Sequence, residues 1–142
     1  MFRSFGILLA LVMALGAGCV SVVPYQPKSN LVAESGVESA QAQLADLLRR
    51  AAAPRFSSVE VDDRRAKLTM IHTHIGPFYQ AIHTPIPVDI LYAMVSRMEL
   101  YENNYVFSYD ASGRLLMPKI LFASRDDARL FMDLITSLGG TE

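Results

Sequence analysis

Residues 114–140 read RLLMPKILFASRDDARLFMDLITSLGG, and the hydrophobic pattern changes period halfway along them. Arg114 to Phe122 is an apolar run of strand character, and Pro118 inside it has no N–H to give to a ladder. That places the strand at a sheet edge or on a bulge. From Ser124 the pattern turns helical. Asp126 and Asp127 sit where a helix dipole favours acids, and Ala128, Phe131, Leu134, Ile135 and Leu138 form one apolar stripe. Gly139-Gly140 ends it. A strand that gives way to an amphipathic helix points to an α+β chain.

Working outward, Asp110 to Gly113 (DASG) is a turn, Tyr105 to Tyr109 (YVFSY) a strand, and Glu102-Asn103-Asn104 another turn. Ile90 to Tyr101 reads as a strand, with a helix over Leu91 to Met98 as the alternative. This meander with tight polar turns and one closing helix, Pro87 to Leu138, resembles the C-terminal half of a pleckstrin-homology-like domain. The resemblance is one of element order, and no binding residue follows from it. Before it, His72 to Pro87 (HTHIGPFYQAIHTPIP) reads as a 16-residue irregular loop, broken by Gly76, Pro77, Pro85 and Pro87. Val59, Val61, Leu68 and Met70 alternate with polar residues on either side of Asp62-Asp63-Arg64, which predicts a hairpin over Phe56 to Met70. Further back, Ser35 and Glu38 fit a capping box, and Val37, Ala40, Leu44, Leu47, Leu48 and Ala51 form a helical stripe. The spacing predicts a helix over 36–52, ended by Pro54. The expected fold is α+β: one domain over 35–142, with an antiparallel sheet of about five strands and an amphipathic helix before and after them.

The first residues carry an address. Met1 to Ser4 is a short positive segment, Phe5 to Ala17 is uncharged and apolar, and small residues precede Cys19, the single cysteine of the chain. Ala17-Gly18-Cys19 resembles the lipobox of bacterial lipoproteins. That resemblance implies a signal peptide over 1–18 and a cysteine that is acylated and anchors the chain in a membrane. Two alternatives export the domain as well. Phe5 to Val23 approaches the ~20 apolar residues that span a bilayer, and cleavage after Ala17 would release a soluble protein. Only acylation uses the thiol. Val20, rather than Asp, follows the cysteine, which favours the outer membrane. Residues 19–34 read as a flexible tether with Pro24 and Pro27, reaching at most ~50 Å when extended. Packing of Tyr25 and Val22-Val23 on the domain is the alternative.

The chain of 142 residues has 13 basic and 14 acidic residues, a balance without the basic footprint that nucleic acid demands. No nucleophile elbow, phosphate loop or paired-acid site is visible, so an enzyme is not expected, and neither is a cofactor. His72 and His74 should share one face of a strand about 7 Å apart. With His83 or Asp89 across the loop they are the candidate metal ligands, against a structural role for all three histidines. Tyr79, Tyr101 and Tyr105 are the candidates for contact with a partner, expected to be another envelope protein.

Overall fold

The computed structural model describes residues 20–140; Cys19 and the expected signal peptide lie outside them. The chain is α+β, with seven strands in two antiparallel sheets and three helices among the described residues. Strand β1 is Val22–Val23, β2 Phe56–Val61, β3 Arg65–Ile75, β4 Ala81–Leu91, β5 Arg97–Tyr101, β6 Tyr105–Tyr109 and β7 Leu115–Leu121. Helix α1 is Leu31–Ser35, α2 Val37–Arg49 and α3 Arg125–Gly139, with a 3-10 turn at Tyr92–Met94. One sheet runs β1-β5-β6-β7 and the other β2-β3-β4. Among the described residues no helix is long and apolar enough to cross a membrane.

The two expected stripes make the core. Leu44, Leu47 and Leu48 of α2 meet Phe131, Leu134 and Ile135 of α3, and both rows close on Leu68, Leu100, Val106 and Ile120 of the sheets. Ser124 caps α3 by accepting the Asp127 N–H (3.1 Å). Arg50 ties the helices together through Asp46 and Asp127. Pro118 sits on the edge strand β7, opposite the irregularity between Val106 and Ser108, where no donor is missed.

Four expectations are corrected. The capping box does not form: Ser35 belongs to α1 and donates to the Leu31 carbonyl (2.8 Å), while Gly36, at φ 86°, joins the two helices. The single strand over Ile90 to Tyr101 is broken, because β4 ends at Leu91 and the 3-10 turn carries the chain to the other sheet. The loop over His72 to Pro87 is two strands in unbroken register, from Arg65 opposite Leu91 to Ile75 opposite Ala81. The flanking bonds, Tyr92 N–H to the Arg64 carbonyl and Gly76 N–H to the Gln80 carbonyl, set the parity. Even-numbered residues of β4 bond to β3, so Pro85 and Pro87 both point their missing donors outward at an edge.

The fourth correction concerns the tether. From Val22 onward it lies against the domain. Val22 and Val23 pair with Tyr101 and Leu100 of β5, and Val23, Tyr25, Leu31 and Val32 pack on the core. Its anchor is Asp133 of α3, only 7% exposed. That carboxylate accepts the Tyr25 hydroxyl at 2.8 and 2.9 Å and the Lys28 N–H at 2.8 Å. The Leu31 N–H donates to Ser137 Oγ (3.2 Å) one helical turn further on. An apolar-polar alternation too short to read as a strand becomes one because β5 has an edge to offer.

Burial, and then the bond to Asp133, push the Tyr25 hydroxyl up to about 12. Burial, and then the charges of Asp62 and Asp63, raise Tyr92 as well. The folded chain therefore keeps protons that the unfolded chain releases above about pH 10. Stability should be complete below that pH and fall as pH climbs toward about 12. Urea midpoints measured at rising pH check this, and Tyr25→Phe should flatten part of the decline.

Candidate functional site

The β3–β4 hairpin extends beyond the core. Ala66, Leu68 and Ile90 at its base are buried, but from Ile71 to Pro87 its residues are exposed apart from Gly76 and Ile82, which are half-buried. No Asp, Glu, Lys or Arg occurs from Leu68 to Val88. The hairpin is thus an uncharged arm standing in water. Its tip holds Ile75 at 74%, Phe78 at 85% and Tyr79 at 92% exposure.

The tip is built rather than loose. The Gly76 N–H donates to the Gln80 carbonyl (2.8 Å), and the Tyr79 N–H to the Gly76 carbonyl (3.0 Å). The Phe78 N–H donates to Gln80 Oε1 (2.9 Å), and Pro77 has no donor to satisfy. A Cβ on Gly76 would come within 2.6 Å of Ile82 Cδ1, so a larger residue there would make the Ile82 and Gln80 side chains shift. Tyr79 sits at φ 59°, in the left-handed region. A bulky side chain costs about 1 kcal/mol there, where Gly or Asn is the ordinary occupant. The chain accepts that strain at the most exposed of its large hydrophobic residues among those described. Tyr79→Asn should accordingly raise stability by about 0.5–1 kcal/mol, read as a higher melting temperature.

Of the tyrosines proposed for partner contact, Tyr79 is on the arm, while Tyr101 and Tyr105 lie on the outer face of the four-stranded sheet. There Tyr101 packs tilted against Phe107, with ring centres 4.7 Å apart, and Tyr105 lies 6.2 Å from the same ring. Arg97 caps the Tyr109 ring at 4.1 Å and pairs with Glu99. Glu99 also accepts the hydroxyls of Tyr101 (3.1 Å) and Tyr109 (3.4 Å). Burial, and then the bond to Glu99, raise Tyr101 above the ordinary tyrosine range. These rings are half-buried in a cross-strand cluster that satisfies itself. Phe78 on the arm, at 85% exposure, is the more available aromatic.

The three histidines are not brought together. His72 and His74 share a face and stack at 5.6 Å, but His83 pairs with Thr73 on the other face and bonds to its hydroxyl (2.9 Å). Asp89 is at the base of the arm, held by Arg65 (3.1 Å). Among the described residues no group of three or more His, Cys, Asp or Glu is placed to hold a metal ion. An apolar cavity of about 130 Å³ lies between the sheets, lined by Ile90, Met94, Val95, Leu116 and Phe131, with Asp89 and Ser108 as its polar groups. The carboxyls with displaced titration, Asp62 and Asp110, are both lowered. The bonds from the Arg64 N–H and from the Ser112 hydroxyl are the leading causes.

No family model, no curated protein and no solved structure matches the chain.

Proposed function

We propose that this chain is a non-enzymatic interaction module of the cell envelope, held at a membrane through an acyl group on Cys19 and facing the periplasm. The outer membrane is favoured by Val20. The observation that carries the reading is the arm: an uncharged hairpin whose turn holds Phe78 and Tyr79 in water at a conformational cost. Exposed aromatics of this kind are the usual anchors of protein interfaces. A protein partner suits the arm better than a bilayer interior. The outward N–H and C=O groups of Ile71, Thr73 and Ile75 have to be satisfied, and lipid has no partners for them.

The packing of residues 22–34 changes what the anchor would do. Only three residue steps separate Cys19 from Val22, a reach of about 10 Å. An acylated chain would therefore ride close against its membrane instead of on a long tether. The pleckstrin-homology-like reading of Pro87 to Leu138 rests on the order of β5, β6 and β7 followed by α3.

Two measurements test the proposal. The intact mass of the membrane-extracted protein should fit an acylated chain beginning at Cys19, and Cys19→Ala should abolish it. A chain starting at Met1 would mean a spanning anchor instead. A photoreactive phenylalanine analogue at Phe78 should capture an envelope protein in intact cells. Capture of lipid alone would overturn the protein-docking role.

A further inference from the structure

The exposed part of β3, Ile71 to Ile75, reads IHTHI, the same in both directions. On its inner side this segment pairs with β4 throughout. On its other side β2 stops pairing at Met70, opposite Phe56, and Gly76 begins the reversal. Among the described residues no strand pairs with β3 between those points. Even-numbered residues of β3 bond to β4, so Ile71, Thr73 and Ile75 point N–H and C=O into the vacant side. The vacancy and the palindrome are the same five residues.

We propose that this edge pairs with the same edge of a second copy of the chain, giving a two-fold dimer centred on Thr73. An antiparallel strand facing its own copy needs residue i opposite j wherever j is opposite i. Centred on Thr73, the run places Thr73 against Thr73, Ile71 against Ile75, and His72 against His74. Every contact is like with like in shape. The absence of formal charge from Leu68 to Val88 removes the repulsion that self-pairing of charged strands would meet. β-Branched residues at three of the five positions suit the pleated surface.

The opposite edge of the arm explains why pairing would stop at two. Pro85 and Pro87 remove two outward donors from β4, a familiar way of blunting an edge against further strands. One blocked edge and one vacant edge give a closed pair, not a fibre. The joined arms form a four-stranded ribbon, with His72 and His74 of both copies on one face. Five residue pairs fall short of the ~1,200–2,000 Å² of a standard stable interface, so the dimer is reversible and depends on concentration. The pairing rests on the arm alone and does not require the acyl group.

Single cysteines in the full chain, each with Cys19→Ser so that no other thiol remains, test the register. Across the two-fold axis the Thr73 Cα atoms should lie about 5.5 Å apart, within disulfide range. Two copies of Ile71, or two of Ile75, should lie roughly 13 Å apart. Under mild oxidation, Thr73→Cys should therefore form a dimer at least about tenfold faster than Ile71→Cys, Ile75→Cys or Ala81→Cys. Mixing the Ile71→Cys and Ile75→Cys chains should crosslink unlike copies. Equal rates at all four positions, or fastest crosslinking at Ala81 on the proline-bearing edge, would overturn the proposal. Sedimentation gives a second readout. Wild type should dimerise reversibly, and Thr73→Pro, which removes an outward donor, no backbone β3–β4 bond and only the exposed side-chain bond to His83, should be monomeric with a nearly unchanged unfolding midpoint. A wild type that stays monomeric at every concentration tested would also overturn it.

Discussion

Replacing Phe78 and Tyr79 together with Asp is expected to lower capture of the proposed envelope partner about a hundredfold. The loss corresponds to about 2.7 kcal/mol, which is what one or two aromatic hot spots contribute to an interface. Both side chains are almost wholly in water, at 85% and 92% exposure, so neither holds the core together. Substitutions of this kind move stability by only about 0.5 kcal/mol. Relief of the left-handed strain at Tyr79 acts in the stabilising direction, because Asp tolerates that conformation better. Crosslinking yield from a photoreactive residue at Thr84 measures the binding, and thermal unfolding of the same protein measures the fold. Unchanged capture with unchanged melting would remove the tip from the interface.

Asp133→Ala should cost about 2–4 kcal/mol, a large share of the stability of a domain this size. The carboxylate is nearly buried and accepts the Tyr25 hydroxyl and the Lys28 N–H. Removing it leaves both donors without their acceptor, and burying an unsatisfied donor is more costly than the bond itself was favourable. The loss should concentrate in residues 22–34, because the helix keeps its apolar stripe. Arg129 lies 5.4 Å from the Tyr25 ring and would also lose the segment it covers. Trypsin should then cut after Lys28 much faster than in wild type, while the denaturant midpoint falls. Tyr25→Phe, which keeps the ring and the Lys28 bond, should show a smaller effect in both assays.

Much of the fold was legible where a segment's own pattern chooses its structure. The stripes of α2 and α3 repeat over several turns. The Asp62 turn closes on itself, with Oδ1 accepting the N–H groups of Arg64 and Arg65 (2.8 and 2.9 Å). The strands at Tyr105 and Leu115 carry β-branched and aromatic residues between clear turns. The arm was hidden for the opposite reason. Pro85, Pro87 and Gly76 are breakers in a central strand or a helix, yet all three are compatible with a hairpin whose outer edge faces water. Parity decides that, and parity is set by the partner strand. The histidines followed from the same error: a loop could gather His83 with His72 and His74, whereas a ribbon assigns them to opposite faces. Tyr79 was named from its residue type, but nothing local distinguished it from Tyr101 and Tyr105.

The sequence by itself determined the α+β class, the two core helices, the β2–β3 turn and the meander, because periodicity and turn chemistry act within a few residues. Only the tertiary structure decided that Val22 to Ser35 is a packed strap, that His72 to Pro87 is an arm, and that three tyrosines divide between two surfaces. Each of those depends on a partner far along the chain: Asp133 for the strap, β3 for the prolines, Phe107 for the sheet tyrosines. A backbone donor or an aromatic ring takes its role from what faces it, and that neighbour is supplied by the fold.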